Sequence, residues 1–199
     1  MNSFTSNPTY TYNKPINMKK LIVLLIAITT LVACKDSVKG ENGVVYKNPA
    51  EYNDYIVTRQ TSLVNKILEF SRTAQTDLET ADSLLKVYAK QTSTMIDEIK
   101  GMPSYKGDSS LKKAAIRSFT FYKRVFNDDY KRLIDIRKSR GDETEEGVAE
   151  MNRIVQNLSK EEEELDKAFQ GAQKSFASKH KMRLEENEIQ KKIDKMNDE

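Results

Sequence analysis

The sequence predicts an all-α chain, an antiparallel bundle of four amphipathic helices behind an N-terminal export segment. Three observations predict it. Apolar residues recur at alternating steps of three and four along most of residues 49–176, the spacing that lines one face of a helix. Only seven glycines and four prolines interrupt 199 residues, and several fall where helices would have to turn. A short apolar run near the start ends at the single cysteine of the chain.

That run is the first element. Lys19 and Lys20 precede the mostly apolar stretch Leu21–Ala33, and Leu31-Val32-Ala33-Cys34 closes it. Basic start, apolar middle and small residues before a cysteine make a signal peptide. Thirteen residues are too few for a spanning helix, which needs about 20. The four closing residues resemble the lipobox of bacterial lipoproteins. This implies cleavage after Ala33 and lipid on Cys34, each buried CH₂ adding about 0.8 kcal/mol of membrane affinity. Residues 1–17 are polar, with Pro8 and Pro15, unlike a basic leader, so translation is expected to begin at Met18. Residues 1–33 are set aside from the fold.

Their removal takes Lys14, Lys19 and Lys20 and no acid, so 33 basic and 30 acidic residues become 30 of each. A neutral mature chain lacks the basic excess of a nucleic-acid binder. Residues 34–47, with Gly40 and Gly43, read as a flexible polar tether. Lys35-Asp36 also resembles, weakly, the charged export signals of surface lipoproteins.

The bundle is expected over residues 48–181. Asn48, Pro49 and Glu51 start the first helix, Pro49–Arg72, with Tyr52, Ile56, Leu63, Ile67 and Phe70 on its apolar face. The second, Asp77–Lys100, carries the seam Leu78, Ala81, Leu85, Tyr88, Thr92, Met95 and Ile99. No glycine or proline separates the two. A capping box of Thr76 and Glu79 would divide them, while Ala74 and Leu78 would carry one stripe through, leaving three helices as the alternative. Gly101–Asp108 is a clear break. The third helix, Ser109–Ser139, capped by Asp108 or Ser109, carries Leu111, Ala115, Phe119, Tyr122, Phe126, Tyr130, Leu133 and Ile136, with Gly141 closing it. The fourth, Glu143–Lys181, opens on Asp142 and Glu145 at capping-box spacing. Its seam of Val148, Met151, Val155, Leu158, Leu165, Phe169, Ala172 and Phe176 is interrupted only by Glu162. Leu85, Tyr122, Phe126, Leu158, Leu165 and Phe169 are the expected core. Residues 182–199 are expected as a charged helical extension or frayed tail.

Little in the chain carries chemistry. His180 is the only histidine and falls in charged sequence, where it reads as solvated; Cys34 is committed to lipid. Glu161–Glu164 could attract a cation, but consecutive helical carboxylates point in different directions. No catalytic residue, metal or cofactor is expected. The aromatic stripe reads as core, with a small apolar ligand or lipid inside the bundle as the alternative. Tyr105, in the loop, and Phe121, off the main face, are the expected contacts to a partner, and Gly171 is expected to let helices approach closely.

Tyr52-Asn53-Asp54-Tyr55-Ile56-Val57, Met102-Pro103-Ser104-Tyr105-Lys106-Gly107-Asp108 and Ala172-Gln173-Lys174-Ser175-Phe176-Ala177 carry a resemblance of the whole mature chain. It resembles a family of small helical surface lipoproteins of spirochaetes and Bacteroidota. The resemblance implies a surface or periplasmic location and an activity not understood for the family, with no catalytic residue carried over. The expected location is the cell envelope, lipid-anchored at the outer membrane, on its periplasmic or surface side. The functional expectation is a non-enzymatic lipid-anchored protein binding an envelope or extracellular protein or surface. A carrier or sensor enclosing an apolar ligand is the alternative.

Overall fold

The protein is described from a computed structural model covering residues 26–29 and 37–186. Four long helical rods form an all-α bundle: α1 Pro49–Thr76, α2 Leu78–Lys100, α3 Ser110–Arg124 continued through a π turn into α4 Tyr130–Lys138, and α5 Glu145–Lys179. Ala33 and Cys34, the expected cleavage and lipidation site, lie outside the described residues, as do residues 187–199.

The α1–α2 junction settles the helix count at four. Asp77 leaves the helical region (φ −147°, ψ 97°), and its carboxylate accepts the Thr80 N–H at 2.9 Å and the Thr80 hydroxyl at 2.6 Å. The cap is therefore Asp77, one residue beyond the expected Thr76, and a short acceptor at an N-cap suffices to break a rod without glycine or proline. At the start of α1 the Asn48 side chain accepts the Glu51 N–H at 2.9 Å, and the Glu51 carboxylate accepts the Lys47 N–H at 2.8 Å. The first bond satisfies a donor that the helix start leaves open, and the second ties the residue before the cap to the first turn.

The glycines work differently from the sequence reading. Gly101 keeps ordinary helical angles (φ −73°). It is needed for space, because a Cβ there would lie 2.9 Å from both Cβ and N of Asn42. At the end of α4 it is Arg140, not Gly141, that adopts the left-handed conformation (φ 60°). Gly141–Glu143 form a single 3₁₀ turn, and Thr144, not Asp142, caps α5 by accepting the Gly147 N–H at 3.1 Å. Gly171 faces open space, so it mediates no close helix approach. α5 ends in a Schellman motif built on Lys181 (φ 53°), with Lys181 N–H on Ser178 O and Met182 N–H on Ala177 O. The chain then turns away from the helical path, so Arg183–Glu186 is strand β4, neither the helical extension nor the frayed tail expected there. It pairs antiparallel with β1, Ile26–Thr29, a part of the predicted export segment.

Leu85, Tyr122, Phe126, Leu158 and Phe169 are buried as expected, whereas Leu165 only half-enters the core. Phe70 stacks on Tyr130 with ring centres 4.6 Å apart, and Tyr88 and Phe126 meet at 5.7 Å. The π turn, Val125–Asp129, is closed by the Tyr130 N–H on Val125 O. It inserts one residue into the helical repeat, and both Phe126 and Tyr130 stay fully buried on either side of it.

Residues 37–47 are not a flexible tether. Val38–Lys39 (β2) and Val45–Tyr46 (β3) form a two-stranded hairpin fastened to the bundle. Asn42 is its fastening: its N–H donates to Gly101 O at 3.1 Å, and its side-chain amide donates to Glu98 O at 3.1 Å and to the Tyr46 hydroxyl at 2.8 Å. Tyr46 is 1% exposed and packs edge-on against Tyr52 and Tyr55. Periodicity arguments pass over such a segment because two-residue strands carry no period.

Candidate functional site

Two features of the molecule stand apart from ordinary bundle packing. The first is at the end of the bundle where the chain enters. The starts of α1 and α3 and the ends of α2 and α5 meet there, joined by the Lys179–Asp108 ion pair at 2.7 Å. Tyr52, Tyr105, Phe176 and His180 form an aromatic plug, with Tyr105 and His180 edge-on at 4.9 Å and Phe176 and His180 at 4.5 Å. The Tyr52 hydroxyl donates to Pro103 O at 2.8 Å, holding the Gly101–Asp108 loop over the plug. His180 is thus packed against rings and not freely solvated. Its Nε2 is buried without a hydrogen-bond partner among the described residues, and burial lowers its pKa. Tyr105 is 0% exposed, so it belongs to the plug and presents no contact surface.

Outside the plug lies an open cleft of about 520 Å³, lined by Lys106, Asp108, Ser110, Lys113, Lys179 and His180 among others. Asp108 orders its floor. Its carboxylate accepts the Ser110 N–H at 2.8 Å, the Ser110 hydroxyl at 2.6 Å and Lys179 Nζ at 2.7 Å. The Lys179 and Ser110 bonds hold its carboxyl well below the usual carboxylate range. The expected capping role of Asp108 is thereby present, although Ser109 occupies the cap position.

The second feature is inside the bundle. Glu162, which interrupts the α5 seam, is 3% exposed and accepts the Tyr122 hydroxyl across the α3–α5 interface. Burial pushes its carboxyl up to about 8, partly countered by the Tyr122 bond, and that of Asp166, one turn on, up to about 7. Tyr130 Oη is also buried, with no hydrogen-bond partner among the described residues. The cluster can hold a proton near neutral pH, which ties the stability of the bundle to pH. The other members of the Glu161–Glu164 run are exposed: Glu161 pairs with Arg124 at 2.5 Å and Glu163 with Lys167 at 2.5 Å. The acid run is therefore split between core and surface.

Phe121 is 4% exposed, edge-on to Tyr122, so it too is unavailable to a partner. With Phe119, Tyr122, Phe126 and Tyr130 all buried, the aromatic stripe packs against the protein itself. Among the described residues no group of three or more His, Cys, Asp or Glu side chains is placed to hold a metal ion. Among them, too, no helix is long and apolar enough to cross a membrane. Comparison with known proteins found no matching family, no similar curated protein and no similar solved structure.

Proposed function

We propose that the chain is a non-enzymatic, lipid-anchored cell-envelope protein that presents its helical bundle to a partner protein or surface. The signal peptide and the lipobox-like Leu31-Val32-Ala33-Cys34 support the anchor. The observation that carries the reading is the docked hairpin. Ser37 is three residues beyond Cys34, and the hairpin that follows is fastened to the end where all four rods meet. An anchor on Cys34 would therefore hold the bundle by one defined end and leave its sides and far end free. With Tyr105 and Phe121 buried, partner contact falls to the polar helix faces, such as the exposed charged face of α5 around Lys160, Glu161 and Glu164.

Metabolic palmitate labelling tests the anchor. The wild-type protein should incorporate label and fractionate with membranes, outer membrane included, and Cys34→Ala should abolish the label and leave unprocessed precursor. Label surviving that substitution would contradict the reading. Expression from Met18 should yield the same mature mass as the full chain. Crosslinking from intact cells should then capture a discrete envelope partner that Glu161→Lys/Glu164→Lys weakens without unfolding the bundle.

A further inference from the structure

We propose that the lysine-lined cleft at the hairpin end contacts the phosphate of anionic lipid headgroups, so that the protein lies against its membrane by charge as well as by its anchor. The inference rests on the anchoring reading above and deepens it. Three steps carry it.

The first is reach. Four residues of extended chain span about 14 Å at most. Because Val38 already belongs to the docked hairpin, the end of the bundle bearing it, the Gly101–Asp108 loop and the α5 terminus would stand within about that distance of the bilayer surface. A flexible tether of fourteen residues would have imposed no such closeness.

The second is charge. Lys39, Lys47, Lys100, Lys106, Lys113, Lys179 and Lys181 are exposed at this end, against the exposed acids Glu41, Asp54 and Asp97 and the half-buried Glu51, Glu98 and Asp108. Lys179 pairs with Asp108 and Lys100 with Asp97, and the remaining exposed lysines still outnumber the exposed acids. The far end leans the other way, though less strongly: Asp77, Glu79, Glu143, Glu145 and Glu146 are exposed there beside exposed Arg72, Lys138 and Arg140, of which Lys138 pairs with Glu79 and Arg140 with Glu143. The mature chain is neutral in sum, so the net charge hides a separation along the long axis. Such an end-to-end separation orients a molecule at an anionic surface.

The third is fit. The cleft is open to solvent and about 520 Å³, lined by Lys106, Lys113, Lys179 and Ser110 together with Asp108, whose carboxylate accepts from both Lys179 and the Ser110 hydroxyl. A phosphate entering it meets ammonium groups from the loop, α3 and α5 together. Each lysine near an anionic surface adds about a five-fold preference, and a lipid chain supported by a basic patch anchors far better than a single chain does.

Amine footprinting tests this on the lipidated full-length protein in nanodiscs of phosphatidylcholine, with and without phosphatidylglycerol. Acylation of Lys106 and Lys113 should fall several-fold in the phosphatidylglycerol discs and recover at high salt. Lys86 and Lys90, exposed on the middle of α2, should label equally in both. In the doubly substituted Lys106→Gln/Lys113→Gln protein, the phosphatidylglycerol-dependent protection of Lys179 and Lys181 should be lost. Equal labelling in the two discs, with lipid still present on Cys34 by mass of the N-terminal peptide, would overturn the headgroup contact and leave the anchor standing. Absence of that lipid would overturn both. Inorganic phosphate added in detergent should not reproduce the protection; if it does, the cleft is a free-anion site and the proposal fails.

Discussion

Glu162 shows how one residue can read as a flaw in a pattern and be a device of the fold. In the unfolded chain its carboxyl ionises near 4.5, and buried beside Tyr122 it is pushed up to about 8. Between those values the folded protein holds a proton that the unfolded chain has released. Stability therefore falls as pH rises through that window and levels off above it. The thermal midpoint of the wild type should drop between about pH 5 and about pH 8, while Glu162→Gln, which keeps an acceptor for the Tyr122 hydroxyl, should show a shallower drop, the remainder coming from Asp166. A wild-type midpoint flat across this window would contradict the assignment. Arg140 offers a second residue-scale test. It pays the strain of a left-handed conformation with only an exposed ion pair to Glu143 in return. Arg140→Gly should raise stability by about 0.5–1 kcal/mol in chemical denaturation. Phe126, 0% exposed, should by contrast cost about 3–5 kcal/mol when replaced by Ala.

At the scale of elements, the rods were legible in the sequence and their ends only in part. A seam of threes and fours survives translation into structure because burial depends on the face a residue occupies, so Leu85, Leu158 and Phe169 could be placed before any coordinates. Ends depend on short-range acceptors and on φ, and these are weakly encoded by residue type. Asp77 and Thr144 cap where Thr76 and Asp142 were expected, and Arg140 and Lys181 take left-handed positions that composition assigns to glycine. Gly147 illustrates the converse. No sequence rule singles it out, yet a Cβ there would collide with the Gly141 carbonyl, whose position is fixed by the 3₁₀ turn. Gly147→Ala should destabilise the protein by about 1–3 kcal/mol, and Asp77→Ala, which loses only a cap, by about 1 kcal/mol; equal costs would mean that the α4–α5 corner can relax. The two contact residues failed for different reasons: a loop tyrosine reads as exposed until the loop folds back over the bundle end, and Phe121, although off the main face, is buried edge-on to Tyr122 with the Arg124 guanidinium over its ring.

The whole molecule is a stack of antiparallel rods with chemically different ends. α5, at 35 residues, is about 52 Å long, and a rod formed by α1 and α2 without the Asp77 break would approach 78 Å. Small-angle scattering should therefore give a maximum dimension set by α5 alone, and a value far above it would restore the three-helix alternative. The separation of basic and acidic ends was not legible because both sets of charges are scattered in sequence. They gather only when the antiparallel path brings residues 39, 106, 113, 179 and 181 to one end.

The docked hairpin also sets how the protein would respond to being pulled. A load entering at Ser37 and resisted by the bundle must pass through a ladder of two residues per strand and the Asn42 bonds before it reaches any helix. Helical rods packed along their length share a load among many contacts; a two-rung ladder does not. The hairpin is thus the weakest link in series. Its opening would release residues 37–47 as about 35–40 Å of extended chain, while the helices stay folded. Under tension the close-held bundle would become a tethered one, and it would re-dock when the load is removed: a mechanical fuse made of a glycine-bracketed asparagine and one buried tyrosine.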